Sequence, residues 1–429
     1  MKEKKDLSYR WIIVAASFVI LALVFGVWYS FSVFFVALLR EFGWSRSMGA
    51  GAFSLVIVIS NLVGPFVGSL TYSAGARKVL ITGALILGAG LALCSLTRTW
   101  WQYYLFLSVV TAVGVGTTGW VPNITLIQLW FAEKRGLAVG IISSGVGVGI
   151  LVCVPSIQYL MDQVGWRMAY RVMALFVPSV VIFMAVLFLK RPPAETQTFS
   201  VEKKAGLTMQ KDPLVVDEIW VSRPWTARKA MTTKLFWLLG VSFFLGNFIA
   251  QSIFTHQVAF FVDHGLEALF ASYLVGIVGV VSFGSKILWG VLSDRIGREV
   301  TYAMGITCYI LGMIILILFD LSPSYRLTYI YAVLFGMGYS VTAALPPLIT
   351  ADVFEGPAYG SIFGSIMIFV GAGGAIGAWF AGFLYDQMGS YVSFFILTAV
   401  FALVSSLSVW KAAPRKIRRV PGKRDRVKD

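Results

Sequence analysis

Apolar residues along this chain fall in long unbroken blocks. They show neither the alternation of a half-buried strand nor the one-sided stripe of a surface helix. Blocks of 18 or more apolar residues signal membrane-crossing helices. The sequence predicts twelve, at 11–39, 47–71, 78–97, 101–130, 135–162, 167–189, 234–262, 268–292, 300–320, 326–351, 358–385 and 390–411. The first block is far too long for the apolar core of a cleavable signal peptide, so it reads as the first span. Polar intervals are short except for 190–233. There KRPPAETQTFSVEKK reads as a linker, and IWVSRPWTARKAMTT, with Trp, Arg and Lys interleaved, reads as an interfacial helix. The expected fold is an all-α membrane protein of twelve transmembrane helices in two six-helix bundles. Residues 1–189 and 234–411 form the bundles, 190–233 the linker and 412–429 a basic tail.

The two bundles repeat each other. YLMDQVG at 159–165 matches FLYDQMG at 383–389, a shift of 224 that also aligns Pro122 with Pro346, Gly147 with Gly371 and Gly149 with Gly373. Gly68, Leu70 and Gly75 meet Gly290, Leu292 and Gly297 at a shift of 222. Parallel six-helix repeats imply two bundles related by an axis along the membrane normal, with a substrate site between them near the midplane.

Composition agrees: 58% of the 429 residues are hydrophobic and 13% charged, against about 25% charged in a soluble domain. The formal charge of +15 raises the question of nucleic acid, and its distribution answers it. An even number of spans puts both termini on one side. Of 35 Lys and Arg residues, 28 fall on the terminus side, six on the other, and Lys286 inside a span. The positive-inside rule then predicts cytoplasmic termini. The basic charge is topology, and no nucleic-acid partner is expected. The PRKIRRVPGKRDRVK tail is expected on anionic headgroups or without order.

Enzyme chemistry finds little to stand on. There is no HExxH, GxSxG or P-loop, and histidine occurs only at His256 and His264. GVGVG at 145–149 and GAGGAIG at 371–377 lie inside spans, where small residues let helices pack closely. Cys94, Cys153 and Cys308 lack metal-ligand spacing and read as reduced packing residues. No enzyme, cofactor or metal site is expected.

GVLSDRIGR at 290–298 resembles the loop signature of the major facilitator superfamily. That resemblance implies a latch on the cytoplasmic face, carried here by Asp294 and Arg295. The repeat copy, GSLTYSAGARK at 68–78, is degenerate, with Tyr72 at the acidic position and Ser73 at the Arg position. REFGWSRS at 40–47, WFAEKRGLAVGIISSGVGVG at 130–149 and GWRMAY at 165–170 are similar to the monocarboxylate transporter family, including bacterial monocarboxylate transporters and oxalate–formate exchangers. The resemblance spans the chain. It implies the major facilitator fold in the cytoplasmic (inner) membrane, functional as a monomer, moving a small monocarboxylate by alternating access with a proton. The alternatives are an organic anion exchanger and a membrane receptor that does not translocate.

In that family the eighth helix carries a basic residue, usually Arg, four positions before the motif Gly. Here it is Lys286, with Ser282 where some members place an Asp. Oxalate–formate exchangers add a Lys on the eleventh helix and animal members one on the first; spans 358–385 and 11–39 contain none. Two readings of Lys286 stand. It can snorkel to the headgroups from near a helix end. Alternatively it is a cationic post that pairs with a substrate carboxylate and, because lysine can give up its proton where arginine does not, takes part in proton coupling. One cation suits one carboxylate. His256 and Asp263 are further proton-coupling candidates. The first, fourth, seventh and tenth helices line the cavity in this superfamily. They nominate Trp28 and Tyr29; Thr118, Trp120 and Asn123; Asn247 and Gln251; and Tyr339 and Thr342 as substrate contacts, interhelical packing being the alternative for each.

Overall fold

The computed structural model describes residues 2–131, 135–190, 214–355, 359–420 and 422. Residues 191–213 of the expected linker and 423–429 of the tail lie outside the described residues. The helices are α1 Lys2–Tyr29, α2 Phe31–Phe42, α3 Arg46–Ala74, α4 Ala76–Cys94, α5 Trp100–Tyr103, α6 Ala112–Thr118, α7 Trp120–Trp130, α8 Arg135–Phe188, α9 Glu218–Val221, α10 Ala227–Met231, α11 Lys234–Asp263, α12 Ala268–Ile296, α13 Arg298–Leu321, α14 Tyr325–Val353, α15 Tyr359–Met388 and α16 Val392–Ala412. A π-helical stretch, Tyr104–Thr111, joins α5 to α6. Among the described residues there is no sheet, only an isolated antiparallel bridge between Val215 and Arg418.

Eleven helical segments among the described residues are long and apolar enough to cross a membrane. One of them, Ala138–Phe188, has 51 residues, which at 1.5 Å each would run about 75 Å against a hydrocarbon core of about 30 Å. It turns at Gly165, whose φ of 78° suits a residue without Cβ. Its two limbs complete the twelve spans read from the sequence. Local chemistry sets the other boundaries. Gly43, at φ 63°, closes α2, and the Ser45 hydroxyl caps α3 by accepting from Met48 N at 3.2 Å. Thr233 caps α11 in the same way, from Phe236 N.

Contacts divide the chain into two compact units, Met1–Met209 with Glu267–Gly279, and Gln210–Leu266 with Val280–Asp429. In the first unit α8 packs on α1 and α4, and α3 on α6. In the second, α11 packs on α15 and α16, and α13 on α14 and α16. The sequence repeat recurs in the backbone. Gly75 and Gly297 both hold positive φ, as do Gly165 and Gly389. A Cβ on Gly149 would lie 2.0 Å from the Ala22 carbonyl, and one on Gly373 would lie 2.1 Å from that of Phe244. Each glycine lets the fifth helix of its repeat rest directly on the first.

Residues 214–233 and 413–420 both belong to the second unit. The tail segment expected on headgroups or without order is packed. Val216 N donates to Ile417 O at 2.8 Å and Arg419 N to Leu214 O at 2.7 Å. Ile417 and Val420 are buried. Arg415 donates to Glu299 Oε1 from its backbone at 2.9 Å and from Nη1 at 3.1 Å. Glu299 is only 4% exposed. A buried carboxylate needs such a partner, and the basic tail supplies it.

Candidate functional site

Lys286 lies in α12, ten residues before its end. It is half-buried, between buried Ser285 and exposed Ile287. Its Nζ stands 5.4 Å from the centroid of the Tyr339 ring on α14, inside the ~6 Å range of a cation–π contact. The geometry is held from both sides. Phe254 on α11 meets the Tyr339 ring edge-on at 4.9 Å. The Trp289 indole, one turn beyond Lys286, donates to Met337 O at 2.9 Å and Ser340 Oγ at 3.0 Å, fixing α12 against α14. Among the described residues no carboxylate lies within ion-pair distance of Lys286. One turn back, Ser282 is buried with an unpartnered hydroxyl, and the buried Gln251 on α11 keeps an unpartnered Oε1.

The other nominees in this unit divide. Asn247 donates to Val370 O at 2.7 Å and so ties α11 to α15. Thr342 donates to Tyr339 O at 2.9 Å, and its side chain packs on Gly246. The Asn247 bond and the Thr342–Gly246 packing are interhelical, while the Thr342 hydrogen bond stays within α14. His256 is also built into the packing, with Nε2 2.9 Å from Ala378 O and Nδ1 2.8 Å from Tyr391 Oη. A carbonyl only accepts, so Nε2 carries a proton, and in the neutral ring Nδ1 accepts from the phenol. Asp263 is exposed at the last position of α11.

In the first unit Trp28 and Trp120 both touch Phe25, at 6.2 and 5.4 Å, and Trp28 meets Phe53 edge-on at 5.2 Å. Tyr29 is buried at the break between α1 and α2. A second break falls at Gly119 (ψ −134°), between α6 and α7. The break, and Pro122, which has no N–H to offer Thr118 O, leave carbonyls without helical partners. Asn123 Nδ2 meets two of them, Thr118 O at 2.9 Å and Gly119 O at 2.7 Å, and leaves its buried Oδ1 unpartnered. Thr118 Oγ1 donates to Gly114 O. The cavity beside Trp28 holds about 20 Å³ and the one beside His256 about 10 Å³, room for a water and not for an organic acid.

The loop motif pairs differently from expectation. Arg295 is exposed in the last turn of α12, and no ion pair involves it among the described residues. Gly297 turns the chain, and Arg298, first in α13, folds back. Its Nη1 reaches Asp294 Oδ1 and Ser293 Oγ, each at 2.6 Å, and its Nε reaches Asp352 Oδ2 on α14 at 2.8 Å. Arg298 thus joins the ends of α12, α13 and α14. It was within view as the last residue of the motif; Asp352 carries no motif of its own. Two of the other motifs also form one assembly: Glu41 accepts from the Trp166 indole and pairs with Arg167, whose guanidinium lies 4.2 Å from the Trp166 ring centroid. REFGWSRS and GWRMAY are the two sides of that clamp.

Comparison with known proteins agrees with this architecture. The family model of the Major Facilitator Superfamily matches residues 17–355 and 285–428. The chain is 25% identical to monocarboxylate transporter 13 of Rattus norvegicus, over 94% of this chain and 89% of that one. It is 27% identical to monocarboxylate transporter 12-B of Danio rerio, over 94% and 86%. Among solved structures, a bacterial homolog of the human lysosomal transporter Spinster, inward-facing and unoccupied, superposes with a TM-score of 0.72 at 15% identity, covering 95% of this chain and 98% of that one. With twelve apolar spans, a six-helix repeat and a family match along most of its length, the chain belongs to the Major Facilitator Superfamily of membrane transporters.

Proposed function

We propose that the protein is a secondary transporter of small monocarboxylates of the lactate and pyruvate kind, working by alternating access in the cytoplasmic membrane with both termini cytoplasmic. The observation that carries this reading is Lys286. It is a cation within a membrane-crossing helix, with an aromatic ring for company and no carboxylate partner among the described residues. A desolvated ammonium gains from a carboxylate that arrives. Tyr339 steadies it in the meantime, and a short apolar tail suits the surrounding rings. The relatives named monocarboxylate transporters favour the same substrate class. A single cation favours a monoanion over a dianion such as oxalate.

Coupling to a proton is part of the proposal. Lys286 is the preferred carrier, because His256 already has a partner on each ring nitrogen. In proteoliposomes, a pH gradient alone should drive accumulation of labelled lactate or pyruvate. Accumulation that requires internal anion and ignores the pH gradient would instead establish exchange. Lys286→Ala should lower uptake at least ~30-fold, the lower bound for removing one partner of a buried charge pair. Uptake by that variant at the parent rate would sink the assignment.

A further inference from the structure

The second unit carries a built shelf immediately before α11. Asp217 caps α9 by accepting from Trp220 N at 2.8 Å, and Thr226 caps α10 by accepting from Lys229 N at 3.2 Å. Aromatic side chains anchor the shelf inward. The Trp220 indole donates to Val353 O at 2.7 Å, and Trp225 is buried edge-on against Phe354 at 5.1 Å. The packed tail backs it through the Val215–Arg418 bridge.

What remains outward is apolar and basic together. Ile219 is 74% exposed, and Met231 and Trp237 are exposed as well. Arg223, Arg228, Lys229 and Lys234 are exposed, and the Arg223 guanidinium lies over the Trp220 ring at 5.2 Å. Glu218 is the one exposed acid of residues 214–237. Position sets the occupant. α10 ends at Met231 and the membrane helix α11 begins at Lys234. Three residues reach at most about 10 Å, so the Met231 end of this surface lies beside the start of the membrane helix.

We propose that residues 216–237 form a binding surface for anionic phospholipid headgroups of the adjoining leaflet. The basic side chains meet phosphate, and Ile219 and Met231 enter the acyl boundary. The anchoring through Trp220 and Trp225 means the surface is formed before lipid arrives.

The test uses the purified full chain in detergent, with dioleoylphosphatidylglycerol or dioleoylphosphatidylcholine titrated in and the unfolding temperature read. Phosphatidylglycerol should raise that temperature and phosphatidylcholine should not, and the rise should shrink as salt increases. At about fivefold per basic residue, Arg228→Gln should raise the half-saturating lipid concentration roughly fivefold. The Arg223→Gln/Arg228→Gln/Lys229→Gln variant should raise it roughly 100-fold. Equal stabilisation by the two lipids, or parent-like half-saturation in Arg228→Gln, would overturn the proposal. Equal stabilisation by soluble polyglutamate would overturn it in favour of an acidic peptide partner. No transport is measured, so the outcome is independent of the carboxylate assignment.

Discussion

The two repeats share a backbone and differ in where they keep charge. At a shift of 222, Lys286 of α12 aligns with Gly64 of α3, and Ser282 with Ser60. Ser60 spends its hydroxyl on the Val56 carbonyl at 2.7 Å, whereas the Ser282 hydroxyl is unpartnered. Asp294 and Arg298 align with Tyr72 and Ala76, and Asp352, at the shift of 224, with Gln128. The Asp294–Arg298–Asp352 network therefore has no counterpart charged at neutral pH at any of its three positions. Conserving the glycine approaches at Gly149 and Gly373 preserves the shape of each bundle. The Asp294–Arg298–Asp352 network and the intramembrane cation belong to the second copy alone, while the first keeps the Glu41–Arg167 pair.

The largest effect that follows is on stability. Arg298→Ala strands the mostly buried Asp352 and should cost ~3–5 kcal/mol, read as a fall in unfolding temperature. Asp294→Asn touches a side chain that is 52% exposed and should cost no more than ~1 kcal/mol. Equal losses would show that the network does not centre on Asp352. Next come the shared glycines. Gly149→Ala and Gly373→Ala each press a methyl onto a backbone carbonyl and should destabilise by ~1–3 kcal/mol apiece. A harmless change in either would break the structural equivalence of the repeats.

Smaller still is Tyr339→Leu. Loss of the cation–π contact should weaken carboxylate affinity by ~0.5–2 kcal/mol and leave the unfolding temperature close to the parent value. A loss as large as that for Lys286→Ala would make Tyr339 a direct ligand in its own right. Least of all is Gly64→Ala. Its methyl would meet only Val121, at 3.6 Å, and alanine gains up to ~1 kcal/mol of helix propensity. Parent-like uptake in this variant confirms that the aligned position in α3 is passive.

Several of these features were legible in the sequence, and the physical reasons for the rest are specific. Span number and the repeat followed from apolar length and from turns that demand glycine, such as Gly165 and Gly389. The breaks at Ser30 and Gly119 lay inside unbroken apolar blocks, where length says nothing about continuity. Helices apolar on all sides do not announce which face meets a neighbour. Asn123 therefore looked like a ligand, although its amide serves the carbonyls freed at Gly119. Arg295 and Arg298 stand three apart in one motif, and only the turn at Gly297 decides which one folds back. The tail read as lying on headgroups or without order because Glu299, its buried partner, lies 116 residues away.

The central claim is that the charge on Lys286 recognises the carboxylate. The most direct measurement is equilibrium binding of lactate and of its uncharged amide, lactamide, to the purified parent and to Lys286→Gln, followed as ligand-induced thermal stabilisation. The parent should be stabilised by lactate and not by lactamide, and Lys286→Gln should lose the lactate response while remaining folded. Lactate stabilisation of Lys286→Gln at parent concentrations would contradict the claim.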